Sequence, residues 1–67
     1  MNEYRIKGNW NEIKGKVREK WGDLTDSQLE RIDGSIDRLV GAIQREYGKS
    51  LDEARHEVKE WRRSANC

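Results

Sequence analysis

The side chains best suited to acid–base or nucleophilic chemistry in this 67-residue chain are its only histidine, His56, and its only cysteine, Cys67. His56 falls next to the apolar face of a predicted helix, a position typical of a surface or boundary residue. Cys67 has no neighbouring base in the sequence to activate its thiol, so adventitious disulfide formation is its expected chemistry. One histidine and one cysteine cannot supply the common zinc-ligand spacings, and the glycines and acidic residues match no phosphate-binding or EF-hand motif. We therefore predict a protein without catalytic, metal or cofactor sites.

Basic residues near the start of the chain offer a second kind of site. Residues 1–22 carry six lysines and arginines against three glutamates, a balance of 6 − 3 = +3. Lys7, Lys14 and Arg18 would project along one side of a helix that included Lys7, and such a face could bind nucleic-acid phosphates. Residues 23–35 carry one arginine against four acidic residues, a balance of 1 − 4 = −3. DNA-binding domains usually have a larger basic excess, so a solvated polar face is the simpler interpretation.

Two glycines inside predicted helices, Gly15 and Gly41, occupy matching positions in an internal repeat. The segment "IKGKVREKWG" at residues 13–22 returns as "LVGAIQREYG" at residues 39–48. A glycine inside a helix costs ~1 kcal/mol relative to alanine, so the matched positions need a cause. The simpler cause is a helix backbone or tryptophan ring packed tightly over each glycine. The functional cause is a smooth patch that a partner or ligand approaches.

Four amphipathic helices would position these residues. The first is predicted between Asn9, as N-cap, and Gly22, as a left-handed residue after the helix end. Thr25 with Gln28 and Ser50 with Glu53 form two capping boxes that would start the second and fourth helices. The predicted ranges are about 26–32 for the second helix, 36–47 for the third, which ends at Gly48, and 51–63 for the fourth.

The apolar residues recur at helical spacing and predict the core. All three tryptophans lie on these apolar stripes, which favours core packing over base stacking or membrane binding. The stripe of the first helix is Trp10, Ile13, Val17 and Trp21; that of the third is Ile36, Leu39, Val40, Ile43 and Tyr47; that of the fourth is Leu51, Ala54, Val58, Trp61 and Ala65. With no proline and no β-alternation, the sequence predicts an all-α fold, a small bundle of four helices with internal duplication.

Composition favours one soluble domain. Charged residues make up 40% of the chain and apolar residues 33%, values that approach those of disordered proteins, but the net charge is only +1 and the apolar spacing is regular. No run approaches the ~20 apolar residues that span a bilayer, and no signal peptide is evident. We expect a cytoplasmic monomer with a single domain over residues 1–67, a core at about 8–63, and flexible ends at 1–7 and 64–67.

The segment "GNWNEIKGKVREKWGDLTD", residues 8–26, resembles the CsbD-like family of small bacterial stress-response proteins. The resemblance continues through "GSIDRLVGAIQREYG" and "EARHEVKEW" to residue 61, and leaves out the opening "MNEYRIK" and the tail "RRSANC". It rests on Gly-Asn-Trp, Lys-Gly-Lys-Val, Trp-Gly, Leu-Thr-Asp, Leu-Val-Gly and Tyr-Gly, in that order. With these aromatic residues, the chain is similar to the Trp-containing branch of the family.

The resemblance implies a cytoplasmic protein induced in general stress or stationary phase, folded as two helical hairpins packed roughly orthogonally. It brings no catalytic residues and no cofactor. We therefore expect a non-enzymatic protein that acts through its surface, either by binding a macromolecular partner, whose identity is open, or as a hydrophilic protectant. Nucleic-acid binding through the first helix is the alternative. The candidate surface residues are Lys7, Lys14, Gly15, Arg18 and Gly41.

Overall fold

Four helices follow one another along residues 9–65, the part of the chain that the computed structural model describes. They are α1 (Trp10–Lys20), α2 (Asp26–Ile32), α3 (Ile36–Tyr47) and α4 (Leu51–Ala65), and no β-strand lies within this part. The all-α prediction and the number of helices are confirmed. Lys7, Cys67 and most of the predicted flexible ends lie outside the described residues.

The start of α2 follows directly from its sequence. The Thr25 hydroxyl accepts a hydrogen bond from the backbone N–H of Gln28, and the Gln28 side chain accepts one from the backbone N–H of Thr25. This reciprocal pair satisfies two backbone donors that a helix start leaves without partners. Leu24 precedes the N-cap and Leu29 lies in the first turns of the helix, the positions of a hydrophobic staple, and both are buried. The predicted capping box and range of α2 are therefore confirmed.

A tight turn at residues 33–35 joins α2 to α3. Asp33 ends α2 in the left-handed conformation with φ of 45°, and Gly34 continues with φ of 81°. Ser35 then caps α3, because its hydroxyl accepts a hydrogen bond from the backbone N–H of Arg38. A positive φ is unfavourable for residues other than glycine, but aspartate and asparagine tolerate it better than most.

The predicted start of α1 is confirmed in position, but the predicted stop is wrong. Asn9 is the N-cap residue, although its side chain makes no capping hydrogen bond, and Gly22 is not left-handed. The chain leaves the helix at Trp21, whose backbone φ is −123° and ψ is 76°. Trp21 and Leu24 are both buried, and the backbone N–H of Leu24 donates to the carbonyl of Trp21 at 3.1 Å, which forms a turn directly after the helix. Helix α1 therefore ends in this turn and not at a left-handed glycine.

Residues at matching positions of the two repeat copies contribute to the core. Ile13 and its counterpart Leu39 are buried, as are Val17 and Ile43. Tyr47, the counterpart of Trp21, is only partly buried. The two copies therefore agree in the middle of the helices and differ at their ends.

Helix α3 packs against both α2 and α4 and so holds the bundle together. α4 starts with the predicted Ser50–Glu53 capping box, in which each residue bonds the backbone N–H of the other. Leu51 was predicted on the buried stripe of this helix but is 46% exposed, because the buried face begins one turn later at Ala54. The helix also extends two residues beyond its predicted end. No helix among the described residues is long and apolar enough to cross a membrane.

Candidate functional site

Neither of the two matched glycines lies under a packed neighbour. Gly15 is exposed, and no described atom lies within 4 Å of the position that a Cβ would take. At Gly41 such a Cβ would lie 3.8 Å from the Nη1 atom of Arg45, an ordinary van der Waals contact. The explanation by tight packing is therefore wrong. Both glycines carry the helix-propensity cost of ~1 kcal/mol without a packing contact that requires them.

Two basic residues of α1, Lys14 and Arg18, face acidic residues of the second helix. The Lys14 ammonium lies 2.9 Å from a Glu30 carboxylate oxygen, and the Arg18 guanidinium lies 2.7 Å from an Asp26 carboxylate oxygen. The opposite charges of the two sequence segments thus meet in the folded chain. Surface pairs of this kind contribute only about 0–1 kcal/mol each, but they compensate the charge that a nucleic acid would need. Lys7, the third member of the predicted basic face, lies outside the described residues.

The tryptophans belong to the core, as predicted. Trp10 is buried and its indole N–H donates to the backbone carbonyl of Leu29 at 3.2 Å. Trp21 packs edge-to-face on Trp61, with ring centroids 5.2 Å apart and an angle of 64° between the ring planes. The indole N–H of Trp21 donates to Glu57 at 3.0 Å. Two of the indoles therefore connect helices instead of reaching water, and none of the three is free to stack on a base.

Two carboxylates of α4, Glu53 and Glu57, have structural partners. Glu57, which accepts the Trp21 indole N–H, also forms an ion pair with Lys49. The Glu53 carboxylate accepts hydrogen bonds from the Ser50 backbone N–H and from the Ser50 hydroxyl, and these hold the pKa of Glu53 below its ordinary value. These interactions fix the start of α4 and its contact with Trp21. They do not place a base beside a nucleophile.

The histidine is exposed on α4, at the surface position expected for it. Among residues 9–65, no cluster of three or more histidine, cysteine or carboxylate side chains could hold a metal ion.

A cluster of arginines was not identified from the sequence. Arg31 of α2 and Arg38 and Arg45 of α3 line a cavity of about 310 Å³ that also includes Gly41. The signal was present, since these arginines are spaced seven residues apart and a seven-residue step returns to the same side of a helix. It could be recognised only for the pair on α3, because the turn at residues 33–35 decides where Arg31 lies.

Comparison with known proteins gives one match. A family model described as CsbD-like matches residues 4–56 of the chain, which is most of its length. No curated protein and no solved structure matches. The resemblance seen in the sequence covers residues 8–61. The family model begins four residues earlier, within the opening segment, and ends before Trp61. The similarity therefore includes Tyr4 to Lys7 and does not extend over the last turns of α4.

Proposed function

The chain belongs to the CsbD-like family of small bacterial stress-response proteins, and from this premise we propose that it acts without catalysis, as a folded domain that binds a macromolecular partner through its surface. The proposal includes a cytoplasmic location and a monomeric state. The proposed points of contact are Gly15 on α1 and Gly41 on α3.

The observation that carries this proposal is that both glycines are unnecessary for packing. A glycine within a helix is retained at a cost to stability, and no described neighbour requires it at either position. A missing side chain allows another molecule to approach the helix backbone closely. Close approach of a partner is therefore the role that best accounts for the matched pair.

Crosslinking and capture from stressed bacterial cells tests the proposal. The protein is compared with the Gly15→Ala, Gly41→Ala double variant. It is also compared with a Gly15→Gln, Gly41→Gln variant, which places larger side chains at the same two positions. A specific partner should be captured by the unsubstituted protein, less by the alanine variant, and not by the glutamine variant.

A matched control places two alanines on α4, at Asp52 and Arg55, which are both exposed. This change keeps the net charge and should leave capture unaltered. If the glycine variants remain folded and capture the same partners in the same amounts as the control, the proposed surface is wrong.

The high charge content favours a second candidate, a hydrophilic protectant. Forty per cent of the residues are charged and the mean hydropathy is −1.20. A protectant that acts through composition alone would still work when unfolded, for example in a Leu39→Asp variant, because Leu39 is fully buried. Protection of a test enzyme against drying by both folded and unfolded forms would support this candidate over partner binding.

Nucleic-acid binding by Lys7, Lys14 and Arg18 is less well supported. The local basic excess favours it, but Lys14 and Arg18 already have carboxylate partners on α2. A titration with duplex and single-stranded DNA at several salt concentrations decides the matter, because phosphate contacts make affinity fall steeply with salt. Absence of salt-dependent binding near physiological ionic strength would exclude this function.

A further inference from the structure

We propose that the cavity between α2 and α3 binds the phosphate group of a small phosphorylated molecule. Arg31, Arg38 and Arg45 bring three guanidinium groups from two helices to one cavity of about 310 Å³. Guanidinium groups present planar, paired N–H donors that match phosphate oxygens. The inference does not depend on the macromolecular partner proposed above, because binding is measured on the purified protein.

Two of the three guanidinium groups have donors to spare. The side chains of Arg31 and Arg45 form no hydrogen bond or ion pair with any residue in the range 9–65. This distinguishes them from Lys14 and Arg18, whose charges are compensated by carboxylates. Arg31 and Arg45 are therefore two cations without a carboxylate partner among the described residues, and both line the same cavity.

The third guanidinium group is held in place. Arg38 donates from Nη1 to the backbone carbonyl of Arg31 at 2.9 Å. This carbonyl lies in the last turn of α2, where helix carbonyls lack partners within the helix and a positive charge is favourable. The contact uses one of the five N–H donors of Arg38, so it orients the group and leaves most of its donors for a ligand.

Gly41 lines the cavity and leaves space in it. It has no side chain to fill that space, and the guanidinium of Arg45 lies next to the position that a Cβ would take. Ile32 and Ala42, both buried, form apolar wall around it. The cavity thus gives Gly41 a role that packing does not.

The charge and size of the cavity fit a small anion. Asp37 is the one carboxylate that lines it, so the three arginines leave a local balance of 3 − 1 = +2. Glu46 does not line the cavity, but its carboxylate accepts a hydrogen bond at 2.7 Å from the side chain of Gln28, which does, and counting it lowers the local balance to 3 − 2 = +1. The volume is at the lower end of the ~300–1,000 Å³ typical of small-molecule sites, which suits a phosphate-bearing metabolite better than a duplex.

The test is a titration of the ¹⁵N-labelled full-length protein with inorganic pyrophosphate, at constant ionic strength maintained with sodium chloride. We expect saturable chemical-shift changes confined to residues around the cavity. An Arg31→Gln, Arg45→Gln variant should keep its helical content and lose affinity about tenfold or more, since it loses two charge-assisted contacts. Asp37→Asn should bind pyrophosphate several-fold more tightly, because it removes the opposing charge.

Arg55→Gln is the matched control, since it removes one exposed arginine from α4, outside the cavity. Its affinity should stay within about twofold of that of the unsubstituted protein. Three results would overturn the proposal: no saturable change with pyrophosphate, an equal loss in the Arg55 control, or no gain in the Asp37 variant. A single-stranded DNA oligonucleotide forms a separate arm, and binding of DNA without binding of pyrophosphate would reject a small phosphorylated ligand.

Discussion

Glu53 is the residue whose ionisation contributes to the start of α4. Its carboxylate accepts the hydrogen bond from the Ser50 backbone N–H, and this bond is the largest cause of its lowered pKa. A carboxyl group with a lower pKa in the folded than in the unfolded state stabilises the fold above its unfolded pKa. That contribution is lost as the pH falls below the ordinary value of 4.5 and through the lower pKa of the folded state.

We therefore predict that Glu53→Gln reduces the loss of stability between about pH 5 and pH 3. Glutamine retains an acceptor for the Ser50 N–H but does not titrate. Urea unfolding of both proteins across this range measures the effect, and NMR titration of the Glu53 side-chain carboxyl gives its pKa directly. A carboxyl that titrates at or above its ordinary value would contradict the prediction.

At the level of whole elements, the two copies of the repeat end their helices differently. Gly48 ends α3 in the left-handed conformation, with φ of 63°, and its N–H bonds to the carbonyl of Gln44. Gly22, its counterpart after α1, is not left-handed, and a Cβ there would lie 3.7 Å from the carbonyl oxygen of Arg18. The same residue in the same place of the repeat therefore has two different conformational requirements.

This difference predicts unequal effects of alanine. Gly48→Ala should destabilise the fold by about 1 kcal/mol, because a left-handed conformation is unfavourable for a residue with a Cβ. Gly22→Ala should change the free energy of unfolding by no more than about 0.5 kcal/mol. Chemical denaturation of the two variants makes the comparison. Equal destabilisation by both would show that Gly22 also requires a glycine conformation.

Local signals predicted the helix starts well because each involves side chains only three residues apart. Thr25 and Gln28 can form their capping box whatever the rest of the chain does, and the same is true of Ser50 and Glu53. The end of α1 could not be predicted in this way, because Gly22 does not take the left-handed conformation and the residue before it, Trp21, packs on Trp61 of α4. The exposure of Leu51 depends equally on where the core stops.

For the molecule as a whole, the candidate site was only partly accessible from sequence. The matched spacing of Gly15 and Gly41 was visible, but whether anything packs over them is a property of the folded chain. The basic excess of the first 22 residues was visible too, although the fold brings the acidic residues of α2 against it. The arginine cavity requires two helices and the turn between them. Tertiary contacts therefore decided both which charges are compensated and which are available.

The fold also explains how a chain with so few apolar residues forms a hydrophobic core. The buried residues form one cluster to which every helix contributes, and two tryptophan N–H groups have protein acceptors. Neither Gly15 nor Gly41 belongs to this cluster, and no close contact in it requires a glycine at either position. The central claim is therefore that Gly15 and Gly41 serve the surface of the molecule and not its packing.

Urea unfolding of the Gly15→Ala, Gly41→Ala double variant tests that claim most directly. Two alanines in place of two helical glycines should raise the free energy of unfolding by about 1–2 kcal/mol, since alanine is the better helix former and both Cβ positions are free of close contacts. The midpoint should shift to higher urea without a change in the denaturant slope. A variant less stable than the unsubstituted protein would contradict the claim and return both glycines to the packing of the bundle.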